Sequence, residues 1–172
     1  WGAQLEALPF ASSYIRTEGA AVSRSGDSLS LSSAGNFNAS EYSVYMRSAA
    51  QQDVSDSTFV DISNNAVDNW LFFRQKPTGF LQVSQYTGGV SQYTLLGGDL
   101  SQTYLNDMAV TFKPNKADSF LGGTIEVSDN DCVSMGVIEK ISLGAKYNNT
   151  GVIYGHISKF ATYDKALTAQ EI

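Results

Sequence analysis

The sequence predicts an all-β chain folded as a two-sheet antiparallel jelly-roll β-sandwich, and three observations carry that prediction. Composition comes first: 42% of the 172 residues are hydrophobic and only 16% charged, with 15 Gly and 12% aromatic residues, a balance suited to short strands and tight turns. Second, from residue 41 onward apolar and polar residues alternate with the period of two that a half-buried strand requires. Third, Gly, Pro and Asn clusters cut the chain into about nine such runs. A sheet with one apolar face needs cover, and with no helical pattern available the cover is a second sheet.

The elements follow in order. Residues 1 to 40, rich in Ala, Ser and Gly, read as an extended connector with one short strand around 28 to 31. YSVYMR (42–47) sets Tyr42, Val44 and Met46 against Ser43, Tyr45 and Arg47, and TFVDI (58–62) and NWLFFRQ (69–75) continue the pattern. Lys76-Pro77-Thr78-Gly79 predicts a β-turn, with proline presetting φ at its second position. NDMAVTFK (106–113) places Met108, Val110 and Phe112 on one face and is ended by Pro114-Asn115. GTIEVS (123–128), KISLGA (140–145) and VIYGHISKFATY (152–163) complete the set; alternation slips between Ile157 and Phe160, which predicts a bulge. In ALTAQEI, Thr168 and Glu171 stand at capping-box spacing and predict the start of a helix.

One stretch repeats itself. VSQYTGGVSQYT (83–94) predicts a hairpin turning on Gly88-Gly89, where only glycine takes positive φ cheaply. With Thr87 opposite Val90, Tyr86 opposite Ser91 and Ser84 opposite Tyr93, the two tyrosines share a face as diagonal neighbours roughly 7 Å apart or less. Exposed aromatics stack on pyranose rings while amides and Arg bond the rim, so Trp70, Arg74, Tyr86 and Tyr93, with Gln85 and Gln92, are the candidate carbohydrate-binding residues. Ordinary core is the competing reading, because Leu81, Val83, Val90 and Leu96 make the other hairpin face equally apolar.

Charge and composition exclude several classes. Eleven basic against 17 acidic residues give a net charge of -6, and without a basic run a nucleic-acid surface has no source of phosphate neutralisation. No apolar run approaches the roughly 18 residues of a membrane span and no signal-peptide layout opens the chain, which predicts a soluble product. Beginning at Trp1 and ending at Ile172, the chain reads as a segment of a longer polypeptide. The single Cys132 excludes an internal disulfide and reads as a small core residue.

Catalytic and metal chemistry find little purchase. Retaining glycosidases need two carboxyls roughly 5 Å apart, whereas the Glu126-Val-Ser-Asp129 run places its acids on opposite faces of a strand. His156, the one histidine, has no partner histidine for zinc and no Gly-x-Ser-x-Gly elbow to serve. Asp129-Asn130-Asp131 offers oxygen ligands, but the glycine and glutamate of a calcium loop are missing, so a polar turn competes with a calcium site. The residues thus predict a non-enzyme with no cofactor and no resident metal.

Two regions of the chain resemble known families. GHISKFATYDKALTAQEI (155–172), ISLGAKYNNTGVIYG (141–155) and NDMAVTFKPN (106–115) resemble the closing and central strands of laminin G-like domains of the concanavalin A-like superfamily. That likeness covers roughly residues 41 to 172 and implies a laminin G-like sandwich there, with 1 to 40 as connector and edge strand after a preceding module. WGAQLEALPFASSYIRTEGAAVSRSGD (1–27) is similar to a connector of phage tail and other virion proteins, with Arg16 where proline is commoner. The resemblance implies a non-catalytic virion module on a phage tail or capsid surface, most simply a tail fibre or spike that binds host-surface carbohydrate. Its implied partners are other virion proteins and a host-surface glycan, with a homo-oligomer, a trimer in the fibre case, as assembly state. The alternative is a structural or decoration module making only protein contacts; a depolymerase is the third reading.

Overall fold

The computed structural model describes residues 16, 18–20, 29–50, 56–100, 105–153 and 155–172. Of the connector expected over residues 1 to 40, residues 1–15, 17 and 21–28 lie outside the described residues. The described strands are β1 (Leu29–Ser32), β2 (Tyr42–Ala50), β3 (Ser57–Ser63), β4 (Trp70–Gln75), β5 (Phe80–Thr87), β6 (Val90–Asp99), β7 (Asn106–Lys113), β8 (Lys116–Leu121), β9 (Thr124–Asp129), β10 (Lys140–Leu143) and β11 (Gly155–Tyr163). They form a six-stranded sheet, β1-β10-β3-β4-β5-β6, and a five-stranded sheet, β11-β2-β7-β8-β9. Every pairing within them is antiparallel. The predicted jelly-roll sandwich is what the chain forms. No helix occurs among the described residues, and so none long and apolar enough to cross a membrane.

The core lies between the sheets. Tyr42, Val44 and Met46 of β2 and Met108, Val110 and Phe112 of β7 project from one side; Leu71, Phe73, Val83 and Leu95 meet them from the other, all at 2% exposure or less. Alternation places these residues inward because a strand sends successive side chains to opposite faces. Burying one such side chain is worth about 1.5–3 kcal/mol, so a one-residue slip in any of these strands is heavily penalised. Cys132 is fully buried in the same core, and burial, then Asp129 and Asp131, push its thiol up to about 11.

Turn chemistry closes the strands as read. Gly79 N–H donates to Lys76 O at 2.8 Å with Gly79 at φ 87°, a type I turn followed by a left-handed residue. Gly88 and Gly89, at φ 58° and 76°, give the β5–β6 hairpin a turn with both central residues left-handed. The slip expected near Ile157 is a bulge on β11: Ile157 pairs with Ser48 and Lys159 with Arg47, leaving Ser158 unmatched.

Three expectations need correction. Strand β8 falls where the sequence suggested none: Lys113 pairs with Lys116 across a two-residue turn in which Asn115 takes φ 65°. KADSFL hides its pattern because the inward position carries Ser119 and the outward one Phe120, both buried. The C-terminal segment makes one turn, not a helix: Thr168 N–H bonds Glu171 Oε2 at 2.8 Å, but the Thr168 hydroxyl also donates to that carboxylate, at 3.0 Å.

The third correction concerns the hairpin. Tyr86 pairs with Ser91 as expected, but Gln85 pairs with Tyr93, so Gln92 is an extra residue in β6. The bulge turns Tyr93 inward, away from Tyr86, to 2% exposure. There its hydroxyl lies 2.9 Å from that of Tyr42, which donates to Gln85 Oε1 at 2.7 Å, while Gln85 Nε2 reaches Val133 O at 2.6 Å. A buried hydroxyl needs a partner; the bulge supplies one on the opposite sheet.

Two outcomes test this core in urea unfolding. Tyr93→Phe is expected to cost about 1–2 kcal/mol through the buried Tyr42 hydroxyl that loses this partner, while Tyr86→Phe stays within about 0.5 kcal/mol. Gly98, at φ 64° with Leu121 packed where a Cβ would stand, is expected to lose about 1 kcal/mol or more as Gly98→Ala.

Candidate functional site

The outer face of the six-stranded sheet follows from register. One row across it reads Ser32, Lys140, Ser63, Trp70, Tyr86, Ser91 and the next reads Ser30, Ser142, Asp61, Phe72, Ser84, Thr94. Hydroxyls dominate both rows, with an aromatic group at their centre. Trp70 lies 5.9 Å from Tyr86 and 4.2 Å from Phe72 between ring centroids, and Phe72 stacks on Tyr86 at 6.4 Å.

Arg74 caps the group. Its guanidinium carbon sits 4.2 Å from the Phe72 ring centre and 5.6 Å from that of Trp70, a cation held over electron-rich faces. Nη1 donates to Asp56 Oδ2 at 2.7 Å, and Lys76 Nζ approaches the same carboxylate at 2.9 Å. Burial pushes Asp56 up, but hydrogen bonding and charge from Lys76 and Arg74 outweigh it and hold the group below its ordinary value. Both cations are thereby engaged with an internal anion.

Asp61 stands next to the aromatic group, opposite Phe72 in register and wholly buried. Its Oδ2 accepts the Trp70 indole N–H at 2.7 Å. Burial raises the carboxyl, and the Ser63 hydroxyl, the Trp70 indole and the Tyr147 backbone N–H only partly offset it. The segment 144–153 lies over this region, tied down by Lys140 Nζ to Tyr147 O at 3.2 Å and by Thr58 N–H to Gly151 O at 2.8 Å.

Of the four residues singled out from sequence, the fold thus brings Trp70, Arg74 and Tyr86 together and sends Tyr93 into the core. Trp70 is only 9% exposed and Phe72 2%, so the half-buried Tyr86 is the part of the stack that meets solvent. Phe72 and Asp61 were missed. Phe72 was recoverable, being two residues from both Trp70 and Arg74 on one strand; Asp61 depends on the β3–β4 register. Elsewhere, Asp131 N–H bonds Asp129 Oδ1 at 2.9 Å in a local turn. No group of three His, Cys, Asp or Glu side chains converges as metal ligands among the described residues. His156 is exposed on β11 and pairs with Ala49.

No protein-family model and no curated protein matches the chain. Solved structures do. The CBM40 module of the Ruminococcus gnavus IT-sialidase aligns with a TM-score of 0.65 at 12% identity, over 77% of this chain and 80% of that one. Its complex with alpha2,6 sialyllactose gives 0.66 at 13%. A SAP-like pentraxin from Limulus polyphemus gives 0.59 at 12% over 75% of this chain and 66% of that one. The Streptococcus pneumoniae NanB sialidase gives 0.64 at 18%, over 83% of this chain but only a quarter of the enzyme. At these identities the shared property is the lectin-like jelly-roll sandwich.

The buried carboxyl yields a pH prediction. Because the folded form of Asp61 holds its proton more tightly than the unfolded chain, its contribution to stability is present at low pH and is lost as pH rises through the raised pKa. Asp61→Asn, which keeps an acceptor for Trp70, is expected to match the parent near pH 3 and exceed it at pH 7 in urea midpoint. A difference independent of pH would exclude this account.

Proposed function

We propose that the chain is a non-catalytic carbohydrate-binding module, carried on a phage tail fibre or spike, that engages host-surface glycans. The observation that carries the carbohydrate part is the half-buried Tyr86 ring, backed by buried Trp70 and Phe72 and by Arg74 on the outer face of a lectin-like sandwich. The similar CBM40 module bound to sialyllactose is consistent with it. Tyr86 is the ring offered to a sugar, with exposed Ser91 beside it on β6. The phage part rests on the likeness of residues 1 to 27 to virion connectors. Non-catalytic character is supported by Asp61, whose one carboxylate oxygen anchors an indole, and by Asp56, which neutralises two cations. A fibre carrying several copies, a trimer in the simplest case, converts weak single sites into avidity.

A second reading, a decoration or structural module contacting only other virion proteins, is favoured by the closure of Trp70 and Phe72 and by exposed Val67 and Val137 on loops and Val90 at the start of β6. A glycan array with the chain displayed as a trimer separates the two. Binding that falls at least tenfold in Tyr86→Ala is the expected result; no binding to any glycan, with the chain located between neighbours in the particle, favours the second reading.

A further inference from the structure

At one end of the sandwich the segment 33–40 folds against the end of β11 and leaves an open cleft of about 520 Å³, lined by Asn36, Phe37, Asn38, Thr162, Tyr163 and Asp164. That volume falls within the span of ordinary ligand sites. The walls are fixed before any ligand arrives. Thr162 Oγ1 donates to Asn36 O at 2.5 Å, Asn38 Nδ2 reaches Asp164 O at 3.4 Å, and Ser40 N–H donates to Asn38 Oδ1 at 3.0 Å. Phe37, the floor, packs on core Tyr42 with ring centroids 4.8 Å apart. A site whose groups are already held loses little ordering entropy on binding.

The groups left over have a definite chemistry. Tyr163 is 42% exposed, a large aromatic at the lip. Asn36 Oδ1 and the Asp164 carboxylate accept no hydrogen bond from the described residues, and Asn38 Nδ2 keeps a second hydrogen to donate. An aromatic ring beside outward-facing acceptors matches one face of a pyranose with neighbouring hydroxyls. No Lys or Arg lines the cleft. The nearest in sequence, Lys165, is directed to Glu171 at 2.7 Å, an arrangement that lowers Glu171 to about 2. Asp164 at the rim, with no Lys or Arg in the lining, disfavours a carboxylated sugar.

We infer that this cleft is a binding subsite for a neutral hexose-type glycan residue, separate from the Tyr86 face. The inference rests on the carbohydrate reading above and adds a location and a ligand class to it. Tyr163 stacks on the sugar, Asp164 and Asn36 accept its hydroxyl protons, and Asn38 donates to a ring substituent.

Saturation-transfer NMR on the 172-residue chain tests this with neutral glycans bearing terminal galactose, glucose or mannose and with sialyllactose as the anionic probe. Exposed Tyr163 and Asp164 permit Tyr163→Ala and Asp164→Asn without loss of fold, checked by unchanged urea midpoints. Support is a neutral glycan bound by the parent chain, weakened at least tenfold by Tyr163→Ala and severalfold by Asp164→Asn, with Tyr86→Ala leaving the same contact intact. Neutral binding unaffected by Tyr163→Ala overturns the cleft and leaves the carbohydrate reading standing. Binding of sialyllactose alone overturns the cleft's neutral specificity, and absence of binding to every glycan overturns both.

Discussion

The arrangement of the six-stranded sheet depends on three polar side chains buried between the layers and the carbonyl that ends their chain. Tyr42 from one sheet, Tyr93 and Gln85 from the other, and the Val133 carbonyl of the segment before β10 form one hydrogen-bonded chain in the core. Such a chain is favourable only when complete, since each orphaned member would cost about 1–3 kcal/mol. Completing it demands that Tyr93 face inward, which demands the extra residue Gln92 in β6. Desolvation pushes both phenols above their ordinary range, which favours the neutral hydroxyls that the chain requires. Polar specificity thus fixes register where the apolar pattern of the hairpin, read alone, permits two answers.

That ambiguity explains how much was legible beforehand. Strand existence was written in period-two alternation wherever inward positions are large and apolar, as in Tyr42-Val44-Met46 and Met108-Val110-Phe112. It failed for Lys116–Leu121, whose inward Ser119 and outward Phe120 invert the rule. Turn residues announced themselves at Gly79 and Gly88-Gly89 because their φ values leave glycine as the cheap choice. The β11 bulge was visible as broken alternation; the β6 bulge was not, since Ser91, Gln92 and Tyr93 suit either face.

The candidate site divides along the same line. Trp70 and Arg74 share a strand face by simple alternation, and Tyr86 joins them through the β4–β5 register that the Lys76–Gly79 turn sets. The end cleft was illegible because it joins Asn36 and Asn38 to Thr162 and Asp164, about a whole domain apart in sequence, through contacts that only the closed sandwich creates. Electrostatics sharpens the contrast between the two surfaces. On the sheet face the cations Arg74 and Lys76 are spent on Asp56, whereas at the cleft Asp164 has only the neighbouring Lys165, itself directed to Glu171.

The irregularity of β11 carries a consequence for crowding. This strand borders its sheet and runs for nine residues, long enough to template a foreign strand along its open side. Unmatched Ser158, whose hydroxyl is turned back to Arg47 O at 3.1 Å, interrupts the ladder at its midpoint, and the ammonium-bearing Lys159 follows at once. Molecules packed side by side at high density therefore find no flat, uncharged rim along β11 on which cross-β growth can begin.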